Sequence, residues 1–409
     1  MSAAGAGGHH PSMTTTAEQQ AQVLIAGAGI AGIEAALALR AFAGAVAHVR
    51  LIDSARRFMV PATAIGRAFG LGSGIDHPLA DIAARAGATL TRGRLAAVDP
   101  ERHLAMLSGG QLLTYDVLIV AVGAGAEPSV RGALTFRGHA DADSVRDMVD
   151  QIARTASRDP ATRLAIVVPV ACGWPLAAYE LALMAREHVT AEGRGGAVDI
   201  TIVTAEDCPL GVFGPEASAS VQRILGRAGI AVHTGAVVRG WRWGQLEIAG
   251  GETLEVDRVI ALPVLRGPSV EGLPADADGF VRTAGDGSVP AAADVWAVGD
   301  GSTFPVKQGG IACQQADSVA AAITRRLGIE MEEVPFQPKL RGWIWNGRNG
   351  EFLRPDLPGG RTESPGVAED TPLWWPVAKV AGRFLVPFLQ GWPADAALAD
   401  LPRPAAVAR

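Results

Sequence analysis

Short, wholly apolar runs alternate along this chain with longer stretches whose apolar residues recur at helical spacing. Val23 to Ala26 is one such run. It ends at Gly27, an Ala-rich helical stretch follows to about Ala43, and Val49 to Ile52, closed by Asp53, is the next run. A short apolar run bounded by turn residues reads as a buried strand, so this order predicts a βαβ unit. Residues 55–95 are mixed, with Pro61 and several glycines, and predict loops and one helix around Pro78 to Ala86. Leu95 to Val98, His103 to Leu107 and Leu112 to Thr114 predict a small antiparallel meander, and Tyr115 to Val122 a buried strand. A second α/β unit begins at Arg163: strand Leu164 to Val168, helix Leu176 to His188, strand Asp199 to Val203, helix Pro215 to Ala228 and an extended Ile230 to Val232. Short strands continue to about Leu262. Val295 to Val298 returns as a strand, and Ile311 to Leu327 predicts a long helix.

The tail from Gln337 differs, being rich in Pro and Gly and holding Trp343, Trp345, Trp374, Trp375 and Trp392. Residues 371–394 carry only two charges, Lys379 and Arg383, while Val377, Val380, Ala381, Phe384, Leu385 and Phe388 recur at helical spacing. An apolar face with flanking tryptophans suits a helix lying in a membrane interface, and equally one packed on the protein's own core or on a second subunit.

At 409 residues and 48% hydrophobic content the chain is too long for one core and right for two or three domains. Only 19% of residues are charged and the formal net charge is −6, which gives no electrostatic footprint for nucleic acid. Three scattered cysteines and no CxxC pair argue against a disulfide framework and a zinc site, so no metal is expected. Residues 1–20 read as a disordered leader without a signal peptide's basic start and apolar core, and no stretch is long and apolar enough to span a bilayer. The expected location is cytoplasmic, with a peripheral contact on the inner face of the membrane left open.

Gly27-Ala28-Gly29-Ile30-Ala31-Gly32 is a GxGxxG turn directly after a predicted strand and opening a helix. Gly27 permits the tight turn, Gly29 lets backbone approach a pyrophosphate, and Gly32 allows close helix–strand packing, with the helix N-terminus facing the phosphates. Asp53, closing the second strand, stands where a carboxylate accepts bonds from an adenosine ribose.

Two further segments extend the pattern. Tyr115-Asp116-Val117-Leu118-Ile119-Val120-Ala121-Val122-Gly123-Ala124 resembles the YDxLxxAxGA strand of two-dinucleotide-binding-domain flavoproteins, and Ala293-Asp294-Val295-Trp296-Ala297-Val298-Gly299-Asp300 resembles their ADVWAxGD motif. The resemblance covers roughly residues 20–335. It implies an α/β fold of two doubly wound, Rossmann-like domains, the second inserted in the first, plus a C-terminal interface segment. The expected divisions are 21–127 with 285–335 for the FAD-binding domain, 128–284 for a second, NAD-type domain, and 336–409 for a membrane- or dimer-interface segment. Non-covalent FAD is the implied cofactor. Asp300 would bind its ribityl chain, Gly299 would let backbone approach, and Ile30, Ala31, Ser54, Pro61, Leu95, Ala121, Val122, Gly123, Gly310 and Ile311 complete the implied contact set.

Phe304 to Asp317, with Lys307 and Cys313, resembles the branch of sulfide:quinone oxidoreductases, flavocytochrome c sulfide dehydrogenase and type II NADH:quinone oxidoreductases. There the helix it opens points its first N–H groups at the flavin, where a helix dipole stabilises negative charge; Lys307 would add to it. The second dinucleotide turn departs from the NADH-using pattern, since Pro169-Val170-Ala171-Cys172-Gly173-Trp174-Pro175-Leu176 keeps one glycine and fills the phosphate position with Trp174 and Pro175. Proline has no N–H to donate and tryptophan is bulky, which argues against a conventional NAD(P)H site. Sulfide:quinone oxidoreductases show a similar loss, with a cysteine on this loop before a Tyr-Glu-bearing helix; Cys172 and Tyr179-Glu180 fit that arrangement. The implied catalytic set is Cys172, a candidate thiolate or packing residue, Glu180, a candidate proton carrier, Cys313 and Lys307. The expected function is an FAD-dependent oxidoreductase passing two electrons from a small donor to a quinone-like acceptor. An NAD(P)H-dependent flavoprotein reductase and a non-catalytic flavin-bearing partner protein are the competing readings, and a homodimer remains open.

Overall fold

Because Val23, Leu24, Ile25 and Ala26 are all apolar, their strand is buried on both faces, as a parallel sheet covered on both sides requires. In the computed structural model, which describes residues 20–71, 76–157, 160–345, 350–355 and 366–392, that strand is β1 (Ala21–Ala26). It leads through the glycine turn into α1 (Ile30–Ala43), and β2 (Ala47–Asp53), β3 (Thr89–Arg92) and β4 (Val117–Val120) follow. The antiparallel meander of strands Leu95–Asp99, Leu104–Leu107 and Leu112–Thr114 lies between β3 and β4.

A second sheet uses β5 (Leu134–Thr135), β6 (Thr162–Val168), β7 (Val198–Thr204), β8 (Ile230–His233) and β9 (Arg258–Ala261), with α2 (Leu176–Ala191) joining β6 to β7. The chain then returns to the first sheet with β10 (Val295–Ala297) and α3 (Gly309–Arg326). Both sheets are parallel and five-stranded, ordered β10-β4-β1-β2-β3 and β5-β9-β6-β7-β8. A helix (Ala142–Thr155) that sequence patterning leaves unassigned packs Val145, Val149 and Ile152 into the second core. Asp116, between the meander and β4, accepts a 2.7 Å bond from the Gln22 amide and so ties β4 to β1.

The tail forms an antiparallel sheet of β11 (Gly342–Trp345), β12 (Gly350–Arg354) and β13 (Val367–Glu369), and ends in the short helix α4 (Leu385–Leu389). The amphipathic helix expected across Val377 to Phe388 is not formed: only its last part is helical. Gly382 opposes helix, and buried Glu34 of α1 accepts from the Phe384 and Leu385 amides at 2.9 and 2.6 Å, fixing the start of α4. Val380, Phe384 and Leu385 fill the core between α1 and α3, so this apolar face is covered by the chain itself. Trp375 stays 40% exposed beside Trp392. Among the described residues no helix is long and apolar enough to cross a membrane, and no metal-ligand cluster occurs. The leader expected over residues 1–20 lies outside the described residues apart from Gln20, as does the end of the tail.

Candidate functional site

A cavity of about 510 Å³ runs from the glycine turn of the first sheet to α2 and the tail. It opens at the carboxyl ends of the parallel strands, where open α/β sheets place ligands. Gly27 sits at φ +101° with its amide bonded to Ile52 O at 2.8 Å. A methyl group there would meet Ala121 O at 2.2 Å, and one on Gly32 would meet Gly27 O at 1.9 Å, so both glycines are required by packing. Gly29 differs: a methyl group would have nothing within 4 Å. The protein leaves room there that a ligand backbone-to-phosphate contact would use. Asp53 closes β2 and accepts from Ala28 N and Ala55 N, both at 2.7 Å, which holds a carboxylate beside the turn.

Of the residues expected from sequence, the cavity brings together Gly27, Gly29, Ile30, Ala31, Asp53, Pro61, Ala121, Val122, Gly123, Cys172, Glu180, Gly299, Asp300 and Lys307. Gly32 packs behind the turn, and Ser54 is exposed just after β2. Leu95 is buried in the core under the meander, and Gly310 and Ile311 are buried in the first turn of α3. None of these five lines the cavity. Cys313 does not reach it either. Its side chain is fully buried in the α1–α3 core, near Glu34 and Gly382, and burial pushes its thiol well up. Cys313, expected in the catalytic set with Cys172, is therefore placed differently: the two pack against different cores, and of the two Cys172 faces the cavity.

Burial also pushes the Cys172 thiol up to about 12, so it is protonated at neutral pH. Its loop is closed. Gly173 O accepts from Lys307 N at 3.3 Å, a methyl group on Gly173 would meet the Lys307 side chain at 2.7 Å, and Trp174 packs edge-on to Phe213 at 5.8 Å. Lys307 is itself 9% exposed, lies 3.9 Å over the Phe280 ring and donates to Ser302 O. Burial lowers it to about 8, against the pull of Asp300 and Asp276. Asp300 is raised by burial, with Lys307 opposing.

At the far end, α2 presents Glu180, 4% exposed, and the tail supplies a partner that sequence reasoning assigned elsewhere. Lys379 Nζ donates to Glu180 Oε1 at 2.5 Å and to Trp343 O at 2.7 Å. Arg341 and Trp343 of the tail also line this end and were not anticipated. The one available signal was a lone lysine in an apolar stretch, since an isolated cation among buried residues needs an anion.

The structure resembles that of the sulfide:quinone oxidoreductase from the hyperthermophilic bacterium Aquifex aeolicus, with a TM-score of 0.76 and 18% identity over 86% of this chain and 87% of that one. It is also similar to a ferredoxin reductase from Rhodopseudomonas palustris (TM-score 0.63, 20% identity, 82% of each chain). Putidaredoxin reductase in its covalent complex with putidaredoxin gives a TM-score of 0.61 at 21% identity over 82% of this chain and 81% of that one. At these identities the likeness establishes the fold. A search of curated proteins finds no match. Residues 21–321 match the family described as pyridine nucleotide-disulphide oxidoreductase, and the chain belongs to that family.

Proposed function

We propose that this protein is an FAD-dependent oxidoreductase of the sulfide:quinone oxidoreductase type, moving two electrons from a small donor to a quinone-like acceptor. The carrying observation is one cavity that joins the open Gly29 turn and Asp300 to the buried Glu180–Lys379 pair, with Trp174 of the second turn on its wall. The residues fit non-covalent FAD: the Gly27–Gly29 backbone and Asp53 would hold its adenosine end, and Gly123, Gly299 and Asp300 the ribityl part. When bound, FAD supplies a centre that takes up and returns two electrons.

The chain's own residues manage charge and protons. Lys307, in contact with the loop of Cys172, places a cation beside Asp300 within the cavity wall. Reduction of a quinone takes up two protons with two electrons. Lys379 Nζ, lowered by burial and hydrogen-bonded to Glu180 Oε1, is placed to pass one of them to that carboxylate, and Glu180, raised by burial, to hand it on; the other is taken from solvent. Cys172, as a protonated thiol, acts as a wall of the cavity. Trp375, 40% exposed beside Trp392, is the large exposed apolar side chain of the tail among the described residues and would be its contact with a membrane or a second copy.

The test is anaerobic. The purified protein is mixed in turn with sulfide, thiols, NADH and NADPH, and the visible flavin spectrum is followed before a soluble quinone is added. Bleaching by sulfide or a thiol, reversed by quinone, is expected, with slow or no bleaching by NADH. Rapid reduction by NADH, hundreds per second on the scale of enzyme turnover, would replace this reading with a nicotinamide-dependent reductase.

A further inference from the structure

Four cations line the cavity: Arg137, Lys307, Arg341 and Lys379. Three have oxygen partners within the protein. Arg137 is held by Asp141, Lys307 donates to Ser302 O, and Lys379 to Glu180 and Trp343 O. Arg341 is the exception. Its backbone is fixed, since its carbonyl accepts from the Nε2 of Gln308, the residue that caps α3. Its guanidinium has no hydrogen-bond acceptor or carboxylate among the described residues. Among the described residues it lies 6.0 Å from the Trp374 ring, and Arg354, a second cation, adds to burial in disfavouring its charge. A partly buried guanidinium is costly unless paired, and its planar fork matches a carboxylate.

We infer that Arg341 is a specificity-determining residue that receives the anionic group, a carboxylate or its isostere, of a small molecule entering the Trp343–Lys379 end of the cavity. The inference rests on reading this cavity as the reaction site. Glu180 and Lys379 answer each other's charge, so the arriving anion would meet Arg341 as the lining cation that has no acceptor among the described residues. The acceptor or donor is then a charged small molecule rather than a neutral lipid-soluble one.

Calorimetric titration of the protein as purified with sodium benzoate and with benzamide, a neutral analogue of the same ring, reads the preference without turnover. Benzoate should bind tighter by roughly tenfold to a hundredfold, the range of one charge-assisted contact. Arg341→Gln should lose that preference and Arg341→Lys keep part of it. With quinones, the ratio of kcat/KM for 1,4-naphthoquinone-2-sulfonate to that for 1,4-naphthoquinone should fall by a similar factor in Arg341→Gln, a change that a merely structural role would not produce. Equal binding of benzoate and benzamide by the unaltered protein overturns the inference, as does an Arg341→Gln variant that keeps the preference. Loss of flavin from Arg341→Gln, with no benzoate preference in the unaltered protein, would assign the anion to the cofactor and also overturn it. An Arg341-dependent benzoate preference in a protein that reduces no quinone would sustain the inference and remove the quinone reading instead.

Discussion

Lys379 and Glu180 stand 199 positions apart in sequence, yet their charged atoms meet at 2.5 Å inside the cavity wall. Burial raises the carboxyl and lowers the ammonium, while each partner opposes the other's shift. Removing one member leaves an unmatched buried charge. Lys379→Met should therefore cost about 3–5 kcal/mol in urea denaturation, and the double variant with Glu180→Gln should recover part of that loss. Strictly additive losses in the two single variants and the double variant would show that the pair is not coupled.

Glu34 gives a prediction for pH. It is fully buried, accepts from the Phe384 and Leu385 amides, and faces Asp317 and Cys313 of α3 and Arg383 of the tail. Burial raises it from 4.5 to about 7, and Asp317 is pushed well up by burial and by Glu34. The folded state therefore binds more protons than the unfolded chain between those values. Its contribution is fully present below about pH 4.5 and is lost as pH rises through about 7. Glu34→Gln should flatten this part of the stability curve and gain most, relative to the unaltered protein, near pH 8. Denaturation midpoints at several pH values check it, and an identical slope in the variant would deny the assignment.

The glycine turn separates ligand effects from folding effects. Gly29→Ala should fold with normal stability, since its methyl group meets no protein atom within 4 Å, yet should retain little flavin. Gly32→Ala should lower stability by several kcal/mol through its clash with Gly27 O. Flavin absorbance per protein and thermal unfolding read the two outcomes. Full flavin content in Gly29→Ala would remove the pyrophosphate from this turn.

The cysteines are expected to be separable as well. With its thiol at about 12, Cys172 should give no thiolate charge-transfer band at neutral pH, and Cys172→Ser should keep most turnover. Cys313→Ser should cost on the order of 1 kcal/mol, as a buried packing change does, and leave activity in place. A long-wavelength band that disappears in Cys172→Ser would restore sulfur chemistry to this loop.

Local pattern made the first βαβ unit legible, because Val23 to Ala26 and Val49 to Ile52 are apolar throughout and Gly27, Gly29 and Gly32 have separate steric duties. The meander was readable for the same reason: its signals are carried by neighbouring residues. The far end of the cavity was not. Lys379 looked like the polar side of an amphipathic helix because spacing reports a period, while Glu34 and Glu180, which decide where that segment goes, lie hundreds of positions away. Cys313 was misplaced by a related gap. Sequence puts it on α3, but only packing shows that it turns toward α1.

The interrupted order of the first sheet bears on how the chain is made. β4 reads Val117-Leu118-Ile119-Val120 and takes β10 as its outer neighbour, yet β10 arrives only with Val295–Ala297. During synthesis that apolar edge has no partner until the whole second sheet has emerged, on the order of ten seconds or more at ribosomal speed. Unpaired apolar edges are templates for association with other chains. The second sheet, whose strands all fall between Leu134 and Ala261, can close while the first still waits. The segment translated earliest is thus among the last to be completed, and crowding of nascent chains is a hazard to it in particular.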